Sequence, residues 1–448
     1  MVPPLGTTAK KGGRRALSTS DSHTRPQPTA LLYLYPDPPG GYDNIRYLRE
    51  PGEDALPLAA EGGSAACYPD GQRLPAWPSS SGVAPPLPGA LLGCVSGELG
   101  LRALLTEELG VELIVTCDEK EAREALGVAQ VVVSQPFWPL YLDSEALRGA
   151  ENLELVVTAG VGSDHTDLAA ARELGIDVVE ITQSNSSSVA EHAVMQALSL
   201  VRNFLPSRQR VIDGEWDIAG CVSQAYDVLG MHVGTVGCGR IGHGVLERMA
   251  PFVGPSGRFM YTEQHKLPPK NEAQLGLGKG AHYFSEVAEM VPHCDVVFVN
   301  APLTAQTDGL FDRDMISRMR RGAYLINTAR GRICDAQAVT EALDSGQLGG
   351  YAGDVWYPQP APIDHPWRSL SRGSALTPHV SGTTLSAQAR YATGVAEVLH
   401  EHFVHPGRKR WPEVYNVVKD GERAGVGARS YSEEALEPIV SGTAKPAR

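Results

Sequence analysis

Nowhere does this sequence run apolar for the ~18 residues that a membrane-spanning helix needs, so no helical membrane span and no membrane partner are expected. Basic residues are in deficit: 39 Lys and Arg against 52 Asp and Glu leave a formal charge of −13. A nucleic-acid binder usually shows a basic face, so no nucleic-acid partner is expected. Cysteine is sparse and scattered. The seven positions, Cys67, Cys94, Cys117, Cys221, Cys238, Cys294 and Cys334, form no C-x-x-C pair and have no paired histidine spacing. That excludes a zinc site and a disulfide framework, and no metal is expected. Isolated cysteines in odd number fit a reducing compartment, with most of them small buried hydrophobes.

What is present is a chain of 448 residues, 42% hydrophobic and 20% charged, long enough for two or three globular domains. Residues 1–29 carry Lys10, Lys11, Arg14, Arg15 and Arg25 against the single acid Asp21, and are rich in Ser and Thr. This suits either an organelle transit peptide or a disordered tail, so the compartment is a mitochondrial or other organelle matrix in the first case and the cytoplasm in the second. It lacks the apolar core of a secretion signal. After a first strand at TALLYLY (29–35) and a Pro/Ser-rich loop at 73–89, apolar residues return at helical spacing over 89–109. Strands at ELIVTC, QVVVSQPF, LELVVTAGVG (153–162) and GIDVVEIT (175–182) then alternate with helices. A helix over 186–204 with serine at its N-cap follows. Further strands lie at 231–236, RFMYTE (258–263), DVVFVNAP (295–302), AYLINTAR (323–330) and GYAGDVW (350–356). Such alternation predicts two α/β units with parallel sheets covered on both faces.

The second unit opens on G-x-G-x-x-G at Gly237, Gly239 and Gly242, directly after HVGTV and before IGHGVLERM. The first glycine makes the tight turn, the second admits a pyrophosphate to the backbone, and the third lets helix pack on strand. The helix N-terminus that follows would offer its N–H groups to the phosphates. Glu263 follows Gly242 by about 20 residues, at the end of the next strand, where a carboxylate meets a ribose 2′-hydroxyl and repels a 2′-phosphate. NAD is therefore the expected cofactor, with Gln264, His265 and Lys266 leaving its margin over NADP open.

Polar groups gather in otherwise apolar strand ends: QPFW (135–138), SNSSS (184–188), NTARG (327–331), PQPAPIDHPW (358–367) and PHVSGTT (378–384). In open parallel sheets ligands collect at the carboxyl ends of strands, so these segments are expected to share one crevice. A guanidinium at Arg330 can grip a carboxylate through two hydrogen bonds. His379 is a lone histidine held between Pro378 and Val380.

Together the segments SQPFWP, TAGVGSDH, NSSSVAEH, LVRNFLPS, GCGRIG, RGAYLINTARGR, GYAGDVWYPQPAP with DHPWR, and PHVSGTTLSAQARYA resemble the NAD-dependent formate dehydrogenases, a branch of the D-2-hydroxyacid dehydrogenase family. The resemblance runs from about residue 30 to about residue 415. It implies two Rossmann-like doubly wound domains, the catalytic one discontinuous in sequence. The boundaries it suggests are a catalytic part at 30–185, an NAD-binding domain at 186–380, a second catalytic part at 381–415, and a C-terminal tail at 416–448. It implies a homodimer and formate as substrate. Arg330 and Asn185 would clamp the formate carboxylate. Val161, Phe137 and Pro136 would wall the pocket, and His379 would adjoin substrate and nicotinamide, held by Gln359, with Ser381 and Gly382 in the same loop. Ser186, Gly237, Gly239, Arg240, Ile241, Gly242, Glu263, Pro302, Thr328, Asp354, His379 and Gly382 would contact the cofactor.

One position carries an argument of its own. Oxidising a 2-hydroxy acid removes a hydroxyl proton as well as a hydride, which favours a histidine made more basic by a carboxylate. Formate has no hydroxyl, and Gln359 cannot ionise. The chain departs from the family's usual pattern at Glu263, at Thr304, in an insertion near VGPSGRF (253–259), and in QSNSSS, where Gln183, Ser184 and Ser187 are expected to make the pocket mouth more polar. A glyoxylate-type hydroxyacid dehydrogenase and a dinucleotide-sensing scaffold without turnover remain as alternatives.

Overall fold

The computed structural model describes residues 27–34, 101–370, 373–406 and 411–423. Most of the basic segment 1–29, the loop at 73–89 and much of the apolar stretch 89–109 lie outside the described residues. Two seven-stranded sheets carry the fold. The first takes β1 (Thr29–Tyr33), β2 (Glu112–Thr116), β3 (Val131–Ser134), β4 (Leu155–Thr158) and β5 (Asp177–Glu180). The second takes β6 (His232–Val236), β7 (Arg258–Thr262), β8 (His282–Phe284), β9 (Val296–Val299), β10 (Ala323–Asn327), β11 (Leu348–Gly353) and β12 (Ser374–Leu376). The chain then returns to the first sheet with β13 (Asn416–Lys419) and β14 (Glu422–Arg423).

The second sheet is parallel throughout, in the order β12-β11-β10-β9-β6-β7-β8, so the strand order reverses beside β6. The first, ordered β14-β13-β5-β4-β3-β1-β2, is parallel from β1 to β5. At one edge it is mixed, because β13 runs antiparallel to β5 and β14 antiparallel to β13. Strands such as VVVS, LVVT and DVVE are buried at every position, as a sheet covered on both faces requires. Each sheet has an apolar layer on either side. The helix Ser186–Val201 packs in a layer of the second sheet and the helix Leu385–Val404 in one of the first.

Several expectations need correction. Residues 416–423 are not part of a tail: Val417 and Val418 are about 2% and 1% exposed and extend the first sheet. Asn185, not a serine, is the N-cap residue of the helix at 186, and its side chain makes no capping hydrogen bond. Of the helix expected over 89–109, the segment Ala103–Glu108 forms a π-type turn. The three-residue strands β8 and β12 are too short to show a period in sequence.

Aspartates open many of the helices. Asp118, Asp143, Asp167, Asp312 and Asp335 each accept the N–H three residues on, which assigns those acids to capping. Because the strands run parallel, the segments after β3, β4 and β5 and after β6, β7, β9, β10, β11 and β12 emerge at carboxyl ends, and those ends meet between the sheets.

Val418→Asp would bury an unpaired carboxylate in β13 and is expected to cost about 3 kcal/mol or more. A urea melt checks this; an unchanged midpoint would show that β13 does not support the sheet.

Candidate active site

Between the two sets of strand ends lies a cleft of about 360 Å³, lined among others by Pro136, Asp164, His165, Arg330, Gln359 and His379. Arg330, three residues past β10, lays its guanidinium side-on against Asp164, six residues past β4. Its Nε is 2.8 and 3.0 Å from the two carboxylate oxygens and Nη2 is 2.7 Å from Oδ1. Nη1 donates to the Ala329 carbonyl at 2.8 Å. The backbone of Gly162 lies so close beneath that a Cβ there would sit 1.9 Å from Nη2. A side chain there would have to displace this guanidinium, and the φ of +106° at Gly162 favours glycine in any case.

His379 is 6% exposed, and its Nδ1 is 2.9 Å from Oε1 of Gln359. The amide nitrogen of Gln359 donates to the carbonyls of Pro136 and Phe137 at 3.1 and 2.8 Å. With both amide protons so used, Oε1 accepts, Nδ1 carries the imidazole proton, and Nε2 keeps a lone pair. Burial pushes the His379 pKa down to about 4, with Asp354 opposing and Arg330 adding to the effect. The ring is therefore neutral at ordinary pH.

His379 has φ of +58°, a left-handed conformation uncommon for a residue with a side chain. Asp354, fully buried at the end of β11, holds it there. One carboxylate oxygen accepts from Thr377 Oγ1 at 2.6 Å and Val380 N at 2.8 Å, the other from Ser381 N at 2.8 Å. Such strain persists only where the surroundings over-determine it.

Phe137 meets the His379 ring edge-on, centroids 5.3 Å apart. A Cβ on Gly382 would lie 2.6 Å from Asn185 Nδ2 and 3.2 Å from Phe137, so these three residues are packed together. Asn185 is 3% exposed, and its Oδ1 has no hydrogen-bond partner among the described residues. Such an atom costs about 1–3 kcal/mol unless a ligand satisfies it. Val161 sits in the same 160–164 loop that runs beneath Arg330.

The cleft contains groups that sequence reasoning passed over. Asp164 is the main one. His165, also pushed down to about 4 by burial, is 2.7 Å from the Ser134 hydroxyl. Glu180, buried at the end of β5, accepts from Gly162 N at 3.0 Å and from the Ser163 and Thr182 hydroxyls, and burial raises its pKa. An acid closing an apolar strand was the available signal. Two expected polar groups point elsewhere. Ser184 Oγ donates to the Ile181 carbonyl, and Ser187 is tied to Glu191 and Arg248, so neither enriches the pocket mouth. Thr304 is buried in a turn with Thr307.

On the second sheet, the glycine turn fits a dinucleotide. Gly237 has φ of +86° and a Cβ there would meet Ala301 N at 2.7 Å, while one on Gly242 would meet the Gly237 carbonyl at 2.2 Å. Gly239 is exposed, and apart from its chain neighbours no atom of the described residues lies within 4 Å of a Cβ placed there. The described residues thus leave the space beside Gly239 open. Glu263 folds over the turn, accepting from Cys238 N at 2.9 Å and Gln264 N at 3.1 Å. Lys266 is paired with Glu272 at 3.4 Å instead of standing against Glu263. Ser186 is buried at the start of its helix, Arg240 and Ile241 open the helix Arg240–Val253, and Pro302 and Thr328 follow β9 and β10.

A formate dehydrogenase of Pseudomonas sp. (strain 101) is 48% identical over 406 residues, 90% of this chain and 94% of that protein. The chain belongs to the formate dehydrogenase branch of the D-2-hydroxyacid dehydrogenases. The family described as D-isomer specific 2-hydroxyacid dehydrogenase, NAD binding domain, matches residues 194–381. A solved formate dehydrogenase from Granulicella superposes with TM-score 0.78 at 46% identity, covering 89% of this chain and 100% of that one. An NAD-dependent formate dehydrogenase from Staphylococcus aureus, solved in complex with NAD, gives TM-score 0.65 at 40% identity over 74% of this chain and 97% of that one. For members of this branch, a glutamine beside the histidine is chemically consistent with a substrate that has no hydroxyl to deprotonate.

A histidine held near 4 predicts that kcat/KM for the acid substrate is flat between about pH 6 and 9, with no ionisation near 6.5. Stability should behave differently. His165 and His379 refuse protons that the unfolded chain accepts below about 6.5. Stability should therefore fall as pH drops from about 6.5 toward 4. Thermal melts against pH and a pH–rate profile check both; an acid limb near 6.5 in kcat/KM would show a charged imidazole at work.

Proposed function

We propose that this chain is an NAD-dependent formate dehydrogenase in which Arg330 and Asn185 hold formate, Gln359 sets the proton on His379, and no side chain acts as a base. The observation that carries this is the amide of Gln359, bound to His379 Nδ1 at 2.9 Å and anchored on two backbone carbonyls. It orients the imidazole without charging it.

When bound, NAD supplies the hydride acceptor at nicotinamide C4. Everything else is positioning and electrostatics. Arg330 and the amide of Asn185 orient the carboxylate so that the C–H bond faces that acceptor. Phe137, Val161 and Pro136 keep water from the reacting carbon while neutral carbon dioxide forms. His379, neutral with its lone pair at Nε2, adds no second cation beside Arg330. The turn at Gly237, Gly239 and Gly242 with Arg240 and Ile241 takes the pyrophosphate. Glu263 takes the adenosine ribose, Ser186, Pro302, Thr328, Asp354 and Gly382 line the nicotinamide side, and Ser381 lies on the substrate side of the same loop. With Lys266 turned to Glu272, the Glu263 carboxylate is unopposed by that lysine, which favours NAD over NADP.

We also propose a homodimer formed through residues 204–229. Phe204, Ile212, Trp216, Ile218, Val222 and Leu229 are all exposed, Trp216 to 84%, and the helices Phe204–Ile212 and Ile218–Val222 bury none of their own residues. An apolar stretch of this extent fits a second copy of the chain better than solvent.

Formate assays with NAD and NADP in parallel test the central reading: NADH should form, and NADPH far more slowly. Arg330→Ala should lower kcat/KM for formate by roughly 10³ or more, about 4 kcal/mol, while NAD binding followed by fluorescence stays within about threefold. Unchanged formate turnover would remove Arg330 from the clamp. For the dimer, Trp216→Glu with Ile218→Glu should halve the mass measured by light scattering; a parent protein already monomeric would dismiss the interface.

A further inference from the structure

Several contacts hold Arg330 in this cleft. It rests on the bare backbone of Gly162, donates to the Ala329 carbonyl at 2.8 Å, and lies side-on against Asp164. Of these contacts, only the pair with Asp164 meets both Nε and Nη2. Asp164 also brings a negative charge within 2.8 Å of the cation in a site where both side chains are largely buried, 17% and 20% exposed. Burial works to raise the Asp164 carboxyl, but the charge and hydrogen bonds of Arg330 override it and keep the group below its ordinary value. The carboxylate is therefore ionised whenever the enzyme works.

The chemistry of formate makes that charge consequential. Formate enters with one negative charge. As the C–H bond breaks, hydrogen leaves with both bonding electrons to NAD, and carbon dioxide remains with no charge and no proton to dispose of. A lone buried cation would attract the starting anion strongly and the near-neutral transition state weakly. Such an interaction tightens binding and raises the barrier, because only contacts that strengthen toward the transition state accelerate the step.

We propose that Asp164 is a charge-compensating positioning residue: it cancels most of the Arg330 charge, so that formate is oriented by directed hydrogen bonds without being over-stabilised as an anion. The proposal deepens the formate dehydrogenase reading and rests on it. Asp164 does not touch the reacting atoms; it acts through Arg330. A purely structural brace and a charge compensator make opposite predictions. Losing a brace loosens Arg330 and weakens anion binding, whereas losing a compensator exposes the full cation and tightens it.

The test uses Asp164→Asn in the full chain, with nitrate as a planar monovalent anion of similar size that cannot react. Formate KM should fall by roughly tenfold and kcat should fall with it, the scale expected for removing one charge a few ångströms from the anion. Nitrate, titrated by calorimetry in the presence of NAD, should bind roughly tenfold tighter. A raised KM with weakened nitrate binding, or unchanged nitrate affinity, would overturn the proposal. Asp164→Glu keeps the charge on a longer arm and covers the case in which the asparagine variant does not fold. Nitrate affinity within about threefold of the parent supports charge as the operative property; tenfold weaker binding makes geometry the operative one and overturns the proposal. If the parent makes no NADH from formate, the functional reading falls on its own, and the nitrate titration still reports what Asp164 does to anion affinity.

Discussion

Gln359 has two amide protons and one carbonyl oxygen, and all three are committed across the boundary between the sheets. The protons go to Pro136 and Phe137, at the carboxyl end of β3; the oxygen goes to His379, past the end of β12. One side chain thus registers the substrate-side strand ends against the dinucleotide-side strand ends and decides where the histidine proton sits. Reversing the amide would set its NH2 group against Nδ1 and its oxygen against two carbonyls, losing two hydrogen bonds and adding repulsion. The arrangement is self-consistent only one way round, which is why the imidazole can be both buried and of definite tautomer.

The electrostatics around that contact are of small charges kept in balance. Arg330 faces Asp164 directly, and Glu180, buried beneath the same loop, is pushed by its burial toward the neutral form. His379 and His165 are likewise held neutral by burial. At the centre of the site the Arg330 charge is therefore met by an opposite one, and the two imidazoles add none. A reaction that turns an anion into a neutral gas is served by that: strong fixed charge would favour the reactant, and an apolar hole would never bind it.

Features that depend on a few adjacent residues were legible in the sequence. The glycine turn, Glu263 at the following strand end, the alternation that makes two parallel sheets and the family likeness all lie within short windows. Where sequence reasoning failed, the decisive partner was remote. Asp164 stands 166 residues from Arg330, and nothing near either position announces the pair. Serine is a favoured N-cap, so the run SNSSS suggested one. The structure puts Asn185 there and leaves its amide unspent on capping, a choice that only the facing Gly382 and Phe137 make intelligible. The polarity expected of Ser184 and Ser187 was present in composition but absent from the pocket, because each hydroxyl has a nearer acceptor. β13 was missed for the same reason of distance: a short VV run near the end of the chain acquires meaning only beside β5.

That last strand bears on how the molecule is made. Every strand of the second sheet lies between residues 232 and 376, an uninterrupted stretch that can pair as soon as it leaves the ribosome. The first sheet cannot be completed so early, since β5 ends at residue 180 and its antiparallel neighbour begins at 416. Until then the edge of β5 stands open, with buried-type residues such as Val178 and Val179 in it, and it is exposed to pairing with another chain. The long wait between first and last strand, a matter of contact order, makes the substrate half the slower and more aggregation-prone half to assemble, while the dinucleotide half is already there to hold it.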